Sequence, residues 1–222
     1  VLQAYALKSY LEDLGHQVEI LNYDTSYLYM KQRSIPQKLV TNIWNIFKQI
    51  LGAKKRKAVF QEFRLKKLKL SSDVLTSKPT LQKYIEKRNF DIFIVGSDQV
   101  WNPEINGGDD AYYLNFTNSG IKCSYAASFG VSELSFDDLN KILKNLEGFS
   151  YVSVREETGL KILNKLNKKV EVVLDPVFLP EKQVWDKLAG KRMVKEKYIL
   201  CYILPGNRKI EKKIEKMAQQ YK

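Results

Sequence analysis

Two cysteines and a single histidine in 222 residues leave little from which to build a metal centre or a disulfide framework. Cys123 and Cys201 each fall inside an apolar stretch that reads as a buried strand. Neither has a second cysteine or a histidine at ligand spacing, so both are expected as buried, reduced thiols, with no metal bound. No apolar run approaches the roughly 20 residues of a membrane-spanning helix. The first residues also lack the charged, apolar and small-residue succession of a signal peptide, and a cytoplasmic address is expected. Turn residues are scattered rather than clustered. With 44% hydrophobic and 12% aromatic residues, this composition excludes a disordered chain and predicts a packed core.

Acidic residues are also in short supply, and the net charge is +12. The excess is most visible in Lys54-Lys55-Arg56-Lys57 and again in Arg64, Lys66, Lys67 and Lys69, which helical spacing spreads over a surface. A solvated helix face, attraction of nucleic acid, and service to anionic substrates or to an anionic membrane face all fit such a run. No recognition-helix, zinc-finger or stacking-platform pattern accompanies the charge, so no nucleic-acid partner is expected. Phe60 and Phe63 stand at a helical spacing that predicts core packing.

Along the chain, apolar residues recur at Leu2, Tyr5, Ala6, Tyr10, Leu11 and Leu14 until Gly15 stops them, which predicts a helix, and Val18 to Asn22 reads as a short strand. This is the second half of a βαβ unit. Its first strand and the turn where a glycine-rich phosphate cradle usually lies are expected outside the chain, which opens on Val1. From about 35 to 84 the periodicity is helical, broken at Gly52 and Ser71-Ser72, with no strand of any length, and reads as a helical insertion. Asp91–Val95 then gives an apolar strand ending at Gly96. Further strands are expected at Cys123–Ala127, Tyr151–Val154 and Val170–Leu174, with helices at Phe136–Leu146 and Thr158–Leu166 between them.

Such alternation predicts an α/β fold: a Rossmann-like parallel sheet with helices on both faces. A first domain is expected over 1–185. An interdomain link and the beginning of a second Rossmann-like domain, with a strand at Tyr198–Leu204 and a lysine-rich helix to Tyr221, are expected over 186–222. One strand and one helix cannot close a core, so the chain reads as part of a two-domain enzyme whose active site lies in the cleft between domains, and as inactive by itself.

Four polar clusters follow the strands: GSDQVWNP (Gly96–Pro103), SYAASFG (Ser124–Gly130), SVRE (Ser153–Glu156) and LDP (Leu174–Pro176). In open parallel sheets ligands bind outside the carboxyl ends of the strands, which is where these clusters stand. Their order and spacing resemble the polysaccharide pyruvyl transferase family. The opening VLQAYAL, the FRLKKLKLS segment and the stretch from DPVFL to Trp185 fit the same family, so the likeness covers essentially the whole chain. The resemblance implies the first half of a glycosyltransferase-B-like architecture. It also implies transfer of an enolpyruvyl-derived group from phosphoenolpyruvate, as donor substrate and with no cofactor, to two hydroxyls of one hexose. The acceptor is expected to be a surface polysaccharide or its lipid-linked precursor, with peripheral contact at the inner membrane face.

That chemistry needs an acid, a base and cations for carboxylate and phosphate. Arg155 suits bidentate anion binding, and the competing reading pairs it with Glu156 or Glu157 at the surface. Asp98 either takes a sugar hydroxyl's proton or caps the next turn. Ser97, Gln99 and Asn102 suit hydrogen bonds to sugar hydroxyls, while Trp101 either stacks on a sugar face or packs beneath its loop. Ser128 and Gly130 bring backbone close to a ligand, or Gly130 simply makes a tight turn. Asp175 reads as structural, fixing the turn with Pro176. The family's general acid is expected to be a histidine of the second domain, beyond this chain, and His16 reads as surface turn chemistry. Two other functions remain open: a glycosyltransferase using a nucleotide-sugar donor, and a noncatalytic sugar- or nucleotide-binding module.

Overall fold

The apolar spacing from Leu2 winds Leu2–Asp13 into α1, burying Ala6 and Leu7, in a computed structural model that describes residues 1–25, 43–201 and 208–220. The helix stops in a Schellman arrangement: the His16 N–H donates to Leu11 O and the Gly15 N–H to Glu12 O. The expected strand after it is reduced to a single bridge residue, Ile20, with a second just beyond it at Tyr23. Ile20 pairs in parallel with Leu70 and Tyr23 with Leu75, so the segment expected to hold no strand supplies one side of a short ladder. Local periodicity cannot show this, because the pairing joins residues about fifty positions apart. Within the expected insertion, residues 35–42 lie outside the described residues. The rest is α2 (Ile43–Lys67), whose backbone continues through Gly52, followed by α3 (Lys78–Ile85), where the Ser77 N–H donates to Thr80 Oγ1.

Four parallel strands follow in chain order: β1 (Ile92–Val95), β2 (Ile121–Ser124), β3 (Val152–Val154) and β4 (Val170–Val172). β1 pairs β2 with Ile92 opposite Ile121, and β3 pairs β4 with Val152 opposite Val170. Bridges at Cys123–Tyr151 and Ala127–Val154 join the two pairs. Between the strands run α4 (Pro103–Asn106) with a 3-10 turn at Asp110–Tyr113, α5 (Phe136–Leu146) and α6 (Glu157–Ile162). Ser135 caps α5 by accepting the Asp138 N–H.

Strands laid down in sequential order with crossovers of one hand place all their connections on one face. That face is the core. Phe93, Val95, Val152 and Val154 pack there with Ile142, Leu146 and Ile162 of the helices and with Trp101, Phe129 and Phe149. On the other face Ile92, Ile94, Ile121 and Tyr151 are exposed, whereas Ser153 of β3 is buried. The apolar strand expected over Asp91–Val95 forms at Ile92–Val95, where its residues alternate exposed and buried.

Between β2 and its bridge at Ala127 the chain leaves the ladder, and a pair of serines replaces the lost pairing. Ser124 Oγ donates to Ser153 O and accepts the Ser153 N–H, while Ser153 Oγ donates to Ser124 O. Ser153 Oγ also accepts the Ala126 N–H, so this buried polar crossing is satisfied without water.

The chain divides into two compact units, Val1–Trp185 and Asp186–Lys222, with α7 (Lys182–Leu188) at the division. In the second, α8 spans Arg208–Gln220. Its expected strand is not formed over Tyr198–Cys201, and residues 202–204, like the turn at 205–206 and Tyr221, lie outside the described residues. Tyr198, Ile199 and Leu200 are exposed, and Cys201 is an exposed thiol instead of a buried one, because no strand among the described residues pairs with this segment. Cys123 is half-buried, and burial pushes its thiol pKa up.

A carboxylate-ringed arginine as the candidate active site

All four strands deliver polar residues to the same end of the sheet. Gly96 leaves β1 at φ +111°, and a Cβ there would lie 2.3 Å from Tyr125 O, so only glycine lets the two strand exits approach this closely. The Gly96–Ser97 peptide is cis. Asp98 follows at φ +90°, a conformation costing roughly 1–3 kcal/mol for a non-glycine residue and concentrated at functional sites. It is held there by its backbone: Asp98 O accepts the N–H groups of Val100 and Ser128, and Asp98 Oδ1 accepts the Gln99 N–H.

Arg155, at the exit of β3, is the centre of the cluster. Its Nη1 lies 3.3 Å from Asp175 Oδ2 and 3.9 Å from Asp98 Oδ1, and its Nε lies 3.4 Å from Glu156 Oε2. The pairing with Glu156 thus forms, but as one of three. One guanidinium among three carboxylates leaves the cluster net negative. The looseness is uneven: Asp98's side chain is 64% exposed, and Asp175's only 16%.

Asp175, read from sequence as a turn residue, does accept the Val177 N–H at 3.1 Å and so caps the 3-10 turn Pro176–Phe178. It also reaches across the chain. Gln3 of α1 donates to its Oδ2 at 2.5 Å and contacts Ser97 Oγ at 3.3 Å, and Ser97 Oγ lies 3.4 Å from the same oxygen. Burial works against the charge of Asp175, but the hydrogen bonds from Gln3 and the Val177 N–H, and then the Arg155 guanidinium, hold its carboxyl below the usual carboxylate value. Gln3, Asp175 and Phe60 line one open cavity with Val1, Leu2 and Val177. Phe60, expected in the core, is 55% exposed at its rim, whereas Phe63 packs edge-on against Tyr5.

The other sequence-derived site residues divide by burial. Trp101 is fully buried, stacked on Tyr113 and packed against Phe129 and Phe149, with its indole N–H donating to Tyr112 O. It has no face left for a sugar, and of its two expected roles the packing one is observed. Asn102 is likewise buried, accepting the Glu104 N–H as the cap of α4 and donating to Gln99 Oε1. Ser128 is buried, donating to Glu156 Oε1 at 2.5 Å and accepting the Gly130 N–H. Gly130, at φ +65°, leaves room for the Gln99 side chain, which a Cβ would meet at 2.3 Å. These residues therefore build the loop that presents Asp98 and Gln99, while Ser97 is buried against Gln3 and Asp175. His16 is exposed and apart from the cluster's hydrogen bonds. Among the described residues no three His, Cys, Asp or Glu side chains are grouped to hold a metal ion, and no helix is long and apolar enough to cross a membrane.

Compared with known protein families, residues 1–218 match Polysaccharide pyruvyl transferase. The chain belongs to the polysaccharide pyruvyl transferase family. Comparison with curated proteins and with solved structures found no match. Membership makes this a chain of a transferase family that acts on polysaccharide. Three features of the cluster escaped the sequence reading: Gln3, the bond from Ser128 to Glu156, and Asp175 as an ion partner. Nothing local marks Gln3. Asp175 stands at a strand end as Asp98 and Arg155 do, and that position was the available signal.

Proposed function

We propose that the protein transfers a pyruvate ketal group from phosphoenolpyruvate to a hexose of a surface polysaccharide or its lipid-linked precursor, in the cytoplasm. The family match over residues 1–218 carries the reading. In the reaction the donor's methylene carbon gains a proton, two sugar hydroxyls form C–O bonds to the adjacent carbon while losing their protons, and the C–O bond to phosphate breaks.

Arg155 is the donor's anion clamp and Asp98 the base or acceptor ligand. The ring of carboxylates sets the terms. A donor carboxylate or phosphate competes with these three partners for Arg155, and Asp98, the farthest and most exposed, is the one to yield. Donor binding then releases the Asp98 carboxylate toward an incoming hydroxyl, while Asp175, fixed by Gln3 and the Val177 N–H, keeps the guanidinium aimed. Gln99 is assigned to a sugar hydroxyl, while Ser97, buried against Gln3 and Asp175, serves the turn.

The test is phosphate release from phosphoenolpyruvate on addition of hexose glycans, with product mass, beside calorimetric titration of phosphoenolpyruvate alone. Release together with a ketal product supports the reading. Nucleotide-sugar binding without response to phosphoenolpyruvate sinks it in favour of a glycosyltransferase. Within an active enzyme, an Asp98→Asn variant that keeps its rate at every pH removes Asp98 from the base role.

A further inference from the structure

Between Lys54 and Lys69 the chain carries eight lysines and arginines against one acidic residue, Glu62, which is already paired with Lys66. The segment lies on α2 and the residues just after it. One side is tied to the body of the first unit, where Phe63 meets Tyr5 and Arg64 donates to Asn22 Oδ1. Lys54, Arg56, Lys57, Lys66, Lys67 and Lys69 are exposed. So are three large apolar side chains among them: Val59 is 59% exposed, Phe60 55% and Leu65 64%.

A merely solvated helix face gains nothing from this combination. Like charges at helical spacing repel, and three large side chains left more than half in water forgo the burial that drives folding. Phosphate-backbone binding would use the cations but has no use for Val59 and Leu65, which offer no stacking face. A surface of cations interleaved with aliphatic and aromatic side chains matches the headgroup and acyl boundary of an anionic membrane, where both components contribute at once.

We infer that the basic segment Lys54–Lys69 docks on an anionic phospholipid bilayer. Phe60 also borders the cavity shared with Gln3 and Asp175, so docking sets the candidate site beside the membrane surface. Resting on the function proposed above, this favours a lipid-linked saccharide as acceptor, but the docking itself is measured without any turnover.

The full chain is pelleted with vesicles of phosphatidylcholine mixed with phosphatidylglycerol, and with phosphatidylcholine vesicles alone. Binding is expected only to the anionic vesicles, and hydrogen exchange of the bound wild-type chain should slow across 54–69. At about 1 kcal/mol per basic residue near the surface, Lys54→Glu/Arg56→Glu/Lys57→Glu lowers affinity by roughly two orders of magnitude. Val59→Ser/Leu65→Ser removes the part of the binding that survives high salt. Three results overturn the inference: no preference for anionic vesicles; unchanged exchange across 54–69, or loss of binding in Lys212→Glu/Lys213→Glu/Lys216→Glu but not in the 54–57 variant; or a DNA duplex bound more tightly than the vesicles and equally well by the serine variant. The first leaves a solvated face, the second moves docking to α8, and the third makes the surface a nucleic-acid site.

Discussion

Positive charge appears in two regions of this chain in opposite ways. At the exit of β3 a single arginine is ringed by Asp98, Glu156 and Asp175, and two of those carboxylates are themselves fixed by Ser128 or Gln3. On α2 and just beyond it, cations outnumber acids eight to one between Lys54 and Lys69, and Lys54, Arg56, Lys57, Lys66, Lys67 and Lys69 stand in solvent. Charge that is paired and backed by a core holds a geometry, whereas charge left unpaired on a helix face is available to a partner. The two regions also differ in what lies beneath them. Under the site loop Trp101 is packed on three aromatic rings, while Val59 and Leu65 are exposed beside the α2 cations.

The sharpest break of this contrast is Trp101→Ala, which empties the support of the site loop and should cost about 3–5 kcal/mol in urea or thermal unfolding. If the loss is under about 1 kcal/mol, the loop does not depend on that packing. Next in size is Arg155→Met, which leaves three carboxylates facing one another. Partial exposure lowers the penalty below that of a fully buried pair, and about 1–3 kcal/mol of stability is expected to go. Arg155→Lys keeps the charge but not the planar fork. In an active enzyme it should slow transfer by about 100-fold with a much smaller change in stability. Unchanged turnover in that variant removes Arg155 from the anion-clamp role.

How far the sequence reveals this arrangement depends on the range of the interactions. The helix read at Phe136–Leu146 is observed over the same residues, since its cap at Ser135 and its apolar spacing are local. The strand cores at Ile92–Val95 and Val152–Val154 were legible for the same reason. Pairings across the chain were not. Gln3 meets Asp175 only because α1 comes to rest against the turn after β4, and the Ile20–Leu70 ladder joins segments separated by a long helix. Trp101 shows the limit most clearly. Its neighbours in sequence are polar and suggest a binding loop, but its neighbours in space are Tyr113, Phe129 and Phe149. At Tyr198–Cys201 the local apolar pattern was right for a strand, and the chain there has no strand to pair with among the described residues.

Acid tests the paired side of the comparison through Asp175. Its carboxyl pKa in the fold lies below the unfolded value of about 3.9, so its contribution to stability is fully present above that value and is lost as pH falls through the folded pKa. Asp175→Asn should therefore cost about 1–2 kcal/mol at neutral pH, the scale of hydrogen bonds to a charged group. The gap between variant and wild-type urea midpoints should then close below pH 4. A gap that stays constant into acid would mean that the carboxylate's charge, as opposed to its place in the turn, contributes nothing.

The smallest effect is expected on the unpaired side. Neither Lys54 nor Lys57 is joined to a carboxylate by any described salt bridge, and the two stand three residues apart on one helix, where like charges repel. Lys54→Ala/Lys57→Ala should leave the melting midpoint of the chain almost unmoved, within about 0.5 kcal/mol and toward greater stability. The same pair of changes should weaken capture by anionic vesicles. A surface that can be altered without touching the fold, yet alters binding, is one the fold does not need for itself. A marked loss of stability would instead place these lysines among the structural charges, alongside Arg155, and would remove the contrast between the two regions.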